Sequence, residues 1–149
     1  MIIFFAFAGL FYFSIRYSSL KTDVESLRQE ETINTVRKMS GSAEFSWKVE
    51  DCSACVDFDN VLMLKNRTSY QGFWKNIVFL QVQKIYPNST SGVECSNLNY
   101  PDCDKLTLIN KNKNTVSHGA FVALCRYDLV LQGSKCELGK IIMGFETVK

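Results

Sequence analysis

Residues 2–39 read IIFFAFAGLFYFSIRYSSLKTDVESLRQEETINTVRKM, and the way this stretch divides decides the fold. Ile2 to Ile15 carries no charge. A helix needs about 20 residues, at about 1.5 Å each, to cross roughly 30 Å of hydrocarbon. Extending the run through Arg16 and Tyr17 to Leu20 nearly reaches that length. Arg16 would then snorkel to the headgroups, with Tyr12 and Tyr17 at the interface. Residues 1–20 are therefore expected to be a membrane anchor, with membrane contact through Ile2 to Leu20. A cleaved signal peptide fits less well, because no basic residue precedes the run and Ala6-Phe7-Ala8 comes too early for a cleavage site.

Beyond Arg16 the chain turns polar but stays helix-compatible, with neither glycine nor proline up to Ser40. Lys21 and Glu25 stand four apart, while Glu25 with Arg28 and Arg28 with Glu31 stand three apart, spacings that pair charges on a solvated helix face. Leu20, Val24 and Leu27 form one apolar stripe. Ile33, Val36 and Met39 form another, displaced by roughly half a turn at 100° per residue. One straight helix cannot bury both stripes against the same partner. Either it bends or breaks near Glu30, or its halves pack on different surfaces. Residues 21–41 are expected to be an amphipathic helix, with Gly41 as its stop.

After Gly41 the apolar period changes. Ile77 to Tyr86, Lys105 to Asn110, Ala120 to Leu131 and Lys140 to Val148 are rich in β-branched and aromatic residues. Turn-forming stretches separate them: Pro87 to Gly92, Asn110 to Asn114, and Gly133-Ser134. Asp59 to Lys65 fits either a short helix capped by Asp59 or another strand. The expected fold class is α+β: a long N-terminal helix, transmembrane then amphipathic, followed by an antiparallel β-sheet domain with disulfides over residues 42–149. About 110 residues suffice for one domain to bury its own core.

All six cysteines lie between Cys52 and Cys136. Position groups them as Cys52 with Cys55, Cys95 with Cys103, and Cys125 with Cys136, the nearest-neighbour choice among fifteen connectivities. An even number of cysteines, with the sequons at Asn66 and Asn88 as glycosylation candidates, points to a domain outside the cytoplasm. Arg16, Lys21 and Arg28 follow the apolar run and pull the other way under the positive-inside tendency. The cysteines weigh more, so a single-pass protein of the cell membrane with an extracytoplasmic C-terminal domain is expected.

The chemistry-bearing motifs are few. A net charge of +2, with both signs interspersed, argues against a nucleic-acid surface. GxSxG, HExxH, a phosphate-cradling glycine loop and an acidic calcium loop are all missing, and no metal or cofactor is expected. A zinc site at Cys52 and Cys55 would need a second close pair or histidines, and His118 is the single histidine. His118 reads as a strand-start or turn residue, and Asp57 and Asp59 as capping residues rather than a catalytic pair. No catalysis is expected. The alternative is an envelope thiol–disulfide redox protein using Cys52 and Cys55, although Glu50, Asp51 and Asp57 nearby would favour the neutral thiols. Phe73, Trp74 and Tyr100 are the candidate aromatic contacts for a protein partner or for self-assembly, although core or loop packing is the first reading of each.

An apolar half-helix, then an amphipathic half, ahead of a β-rich domain with a disulfide near its end, resembles the plan of type IV pilins and pseudopilins. That resemblance covers the amino-terminal quarter. It implies an apolar half that anchors the subunit in the membrane and later packs in a filament core, with the sheet domain outward. Asp23 is the earliest acidic residue, so the glutamate such subunits carry near their start has no counterpart. Separately, KNRTSYQGFW, QVQKIYP, NYPDC and KCELGK are similar to stretches of uncharacterised single-span proteins of small-genome archaea, a resemblance that assigns no functional residue. Together these readings lead to a membrane-anchored structural or interaction protein.

Overall fold

The computed structural model describes residues 2–48, 52, 54–65, 67, 74, 77–87, 92–112 and 115–146, with the side chains of residues 2–6 and 8 outside that description. The elements run α1 (Ile2–Ser40), β1 (Cys55–Asp57), α2 (Phe58–Leu64), β2 (Ile77–Tyr86), β3 (Lys105–Asn110), β4 (Thr115–Asp128) and β5 (Gly133–Glu146). The fold is α+β, as expected. Two compact units emerge, Met1–Glu31 and Thr32–Lys149.

The first unit is helical throughout its described length. Leu10, Phe11, Phe13, Ile15, Tyr17, Leu20, Val24 and Leu27 are all exposed. Arg16 lies 5.6 Å from the Tyr12 ring centroid and donates to the Tyr12 hydroxyl at 3.1 Å. The expected transmembrane helix is not reproduced as such: among the described residues no helix is long and apolar enough to cross a membrane. The side chains of residues 2–6 and 8, which make up nearly half of the uncharged run, lie outside the described residues.

The second unit begins inside α1. Thr32, Val36 and Met39 are buried and Ile33 packs against the same core, so of the two stripes the second is the one that joins it. The helix runs unbroken through Glu30, so of the alternatives that the two stripes left open the break does not occur. It ends where expected: the Gly41 amide donates to Arg37 O and the Ser42 amide to Met39 O. Arg37 and Lys38 in the last turn suit the negative end of the helix dipole.

The sheet has five strands in the order β1-β4-β5-β2-β3. It is mixed, which corrects the expected antiparallel sheet: β1 pairs parallel to β4, with Val56 opposite Leu124. Three residues are too few for alternation to reveal a strand, so β1 leaves no periodic signal. The remaining pairs are antiparallel, and β4 and β5 stay in register from Thr115–Glu146 to Asp128–Gly133. Period-two alternation puts Leu80 and Val82, Val122 and Leu124, and Ile141 and Met143 into one core with Val56, Phe58 and Val61. Gly139 is required there, because a Cβ would come 2.5 Å from Leu124 Cγ and 3.0 Å from Gln83 O.

Several boundaries differ from expectation, with β4 starting at Thr115 rather than Ala120 and β5 at Gly133 rather than Lys140. The Asp59–Lys65 segment is helical from Phe58, and its cap is Asp57 rather than Asp59: Asp57 Oδ1 accepts the Asn60 amide at 3.0 Å. Leu129 to Leu131, expected to continue a strand, forms the β4–β5 turn, and Gly133-Ser134, expected as the turn, opens β5. Asp128 causes the shift. Its Oδ1 accepts the amides of Val130 at 2.9 Å and Leu131 at 3.2 Å, closing the chain before the apolar triplet can extend, and Gln132 completes the reversal at φ 50°. Thr147 to Lys149, which include the end of the last expected strand, lie outside the described residues.

Candidate interaction site at the β4–β5 hairpin

The six cysteines form three bridges, Cys52–Cys55, Cys95–Cys103 and Cys125–Cys136, the same pairing that position picks out. Cys125 and Cys136 are direct register partners on β4 and β5, so this bridge staples the hairpin near its tip. Buried Trp47 packs beside Cys55 and Cys125. Cys95–Cys103 closes a loop whose ends bond to the β3 edge, with the Cys95 amide donating to Lys105 O at 2.7 Å. Lys65 at the end of α2 holds the same edge, donating to Glu94 Oε1 and to Cys95 O at 2.8 Å each. Burial alone would raise the Glu94 carboxyl, but the Lys65 ammonium and the Thr107 donors outweigh it and hold the group below its usual value.

Charged side chains gather between α2, the Cys95–Cys103 loop and the hairpin. The Tyr100 hydroxyl donates to Asp59 Oδ1, and the Tyr127 amide donates to Asp59 Oδ2 at 3.3 Å. Burial first, and the Asp59 carboxylate second, push the Tyr100 hydroxyl far above its ordinary range, so it serves as a donor at any physiological pH. Arg126 pairs with Asp128 at 3.1 Å. Glu137 accepts from Lys84 at 3.2 Å and from Lys135 at 3.3 Å. Lys84 and Glu137 are each 11% exposed, shielded enough for their mutual pairing to matter. The amides of Leu131 and Val130, with Arg126 and Lys135 nearby, hold the Asp128 carboxyl below its ordinary value.

This polar clamp supports an apolar tip. Leu129, Val130 and Leu131 are 83%, 92% and 66% exposed, and Leu98 on the clamped loop is 98% exposed. Three consecutive apolar side chains held outward by a braced turn are unusual on a folded surface, and patches of this kind mark interaction sites. Down the hairpin, Phe121, Tyr127 and Leu138 are also exposed, and Lys140 lies 5.9 Å from the Phe121 ring centroid.

The candidate contact aromatics fall elsewhere. Trp74 and Tyr100 are partly buried against the core, Trp74 edge-to-face with Phe45 at 6.0 Å and Tyr100 against Phe58 at 5.6 Å. Phe73, Asn66 and Asn88 lie outside the described residues. Sequence reasoning missed Leu129 to Leu131 because an apolar triplet raises strand propensity, and the signal that could have found them is the turn-forming Asp128 directly before it.

Away from the hairpin, Cys52 is exposed and its partner Cys55 is 7% exposed. Cys55 opens strand β1, and α2 begins at Phe58, three residues further on. His118 is the register partner of Met143 across the hairpin, with Nε2 lacking a hydrogen-bond partner. Among the described residues no group of three or more metal-ligating side chains converges. No protein family, curated protein or solved structure matches the chain.

Proposed function

We propose that this chain is a membrane-tethered, extracytoplasmic interaction protein that presents the β4–β5 hairpin tip to a protein partner and performs no catalysis. The observation that carries the reading is the exposure of Leu129, Val130 and Leu131 on a turn fixed by Asp128 and stapled by Cys125–Cys136. A free apolar loop would collapse onto the sheet; this one is held out. Three bridges with no free cysteine fit an oxidising compartment. The uncharged Ile2–Ile15 run, with Phe7, Leu10, Phe11, Phe13 and Ile15 exposed, supports the tether. A long leading helix whose last turns, Thr32 to Ser40, belong to the sheet domain also suits a pilin-like surface subunit.

Thiol–disulfide exchange is the competing reading, favoured by an exposed Cys52 bridged to a buried Cys55. Differential alkylation of the native protein under a mild reductant separates the two. The interaction reading expects all three bridges to resist until unfolding; selective opening of Cys52–Cys55 at the potential of cellular dithiols would favour the redox reading. Extraction of membranes at alkaline pH tests the tether, which predicts retention in the pellet.

A further inference from the structure

We propose that a second copy of this chain docks along the α1 stripe Leu20–Val24–Leu27, in parallel, as a short two-stranded coiled coil. Leu10, Phe13, Tyr17, Leu20, Val24 and Leu27 follow one another at alternating spacings of three and four, a 3.5-residue period that presents one seam to a neighbouring helix. All six are exposed, from 46% at Val24 to 76% at Tyr17. Ile33, Val36 and Met39, the stripe that joins the sheet's core, do not continue this repeat.

What covers the seam is indicated by its residues. From Ser18 to Gln29 the positions away from it are Ser18, Ser19, Thr22, Glu25, Ser26 and Gln29, all polar, so the apolar stripe is narrow and suits one partner helix rather than a broad core. With Val24 at the a position and Leu20 and Leu27 at d, a β-branched residue sits between two leucines, the combination that favours two parallel strands. In that register Asp23 at g faces Arg28 at e of the other copy, an attractive pair on each side, whereas one heptad earlier Arg16 at g meets Lys21 at e as like charges, so charge favours the pairing at the Val24–Leu27 end of the seam. The repeat stops at Glu31, which occupies the next a position, one residue before the buried Thr32.

So few heptads are marginal alone, because short helices in water form weakly. Anchoring two chains in one bilayer makes the encounter nearly intramolecular and fixes both helices in the same direction. The parallel orientation therefore rests on the tether reading above. The polar residues from Ser18 to Gln29 set this contact apart from packing within a lipid-embedded segment.

The full-length chain in its native membranes supplies the test, with single cysteines introduced at the seam (Val24→Cys, Leu27→Cys) or on the outer face (Ser26→Cys, Gln29→Cys). Mild oxidation followed by non-reducing electrophoresis is expected to give covalent dimer at the seam positions at least several-fold above the outer ones. In the Val24→Cys background, Asp23→Arg is expected to lower the dimer several-fold and Asp23→Arg with Arg28→Asp to restore it. Equal cross-linking on all faces, or charge reversal without effect, would overturn the dimer. Alkaline extraction of the same membranes reads the tether separately: retention without seam preference defeats the dimer alone, whereas seam preference in an extractable protein supports pairing and defeats the tether.

Discussion

One carboxylate, Asp59, accepts the Tyr100 hydroxyl on one oxygen and the Tyr127 amide, at 3.3 Å, on the other. Tyr100 belongs to the Cys95–Cys103 loop and Asp59 to α2, so the hydroxyl joins two segments that share no strand pairing. Tyr100→Phe keeps the ring against Phe58 and deletes only the donor. Hydrogen bonds to charged groups contribute about 1.5–3 kcal/mol, and partial exposure places this one near the lower end. Urea denaturation should show a lower midpoint with an unchanged slope; an unchanged midpoint would mean the bond contributes nothing.

Asp128 gives the turn a pH dependence of definite sign. Its folded-state pKa lies below the ordinary 3.8, so its contribution is fully present above that value and is lost as pH falls through the folded-state pKa. Asp128→Ala should lower the melting temperature at neutral pH. The gap from wild type should close on acidification below the ordinary value. A gap that stays constant across this range would show that the carboxylate charge is irrelevant to the turn.

The apolar tip should be dispensable for stability. Replacing Leu129 and Leu131 by serine removes exposed side chains, and surface substitutions of this kind usually change stability by no more than about 0.5 kcal/mol. Thermal melts should match wild type, while photocross-linking from position 130 in cells should lose the discrete adduct expected of the parent. Marked unfolding of the variant would instead identify the triplet as part of the core.

Gly139 has the opposite character. Any side chain there meets Leu124 Cγ at 2.5 Å and the Gln83 carbonyl at 3.0 Å. Overpacking of a filled core costs about 1–3 kcal/mol, so Gly139→Ala should lower the denaturation midpoint clearly and Gly139→Val should lower it further. Double substitution with Leu124→Ala, which makes room, should cost less than the two single changes added together.

Much of the architecture is legible in the sequence because it rests on period. The α1 range, β2, β3 and the core alternation of Ile141 and Met143 follow from spacings of 3.6 and 2. The local cysteine pairing follows from position, helped by Cys125 and Cys136 sitting opposite each other across one hairpin. What escapes is decided by single side chains or by long-range pairing. The three-residue β1 exists because β4 offers its edge to it, and the triplet Leu129 to Leu131 is drawn out of a strand by one aspartate. Tyr100 reads first as a packing aromatic, but that its hydroxyl finds Asp59, 41 positions away in the chain, is a contact no local pattern encodes.

The central claim is that the disulfide-braced sheet domain stands outside the cytoplasm on a tether formed by the first residues of α1. Protease treatment of intact cells tests it most directly, followed by blotting for an epitope fused after Lys149. The account predicts loss of the epitope without permeabilisation, while a cytoplasmic control protein survives. Protection of the epitope until the cells are lysed would contradict it.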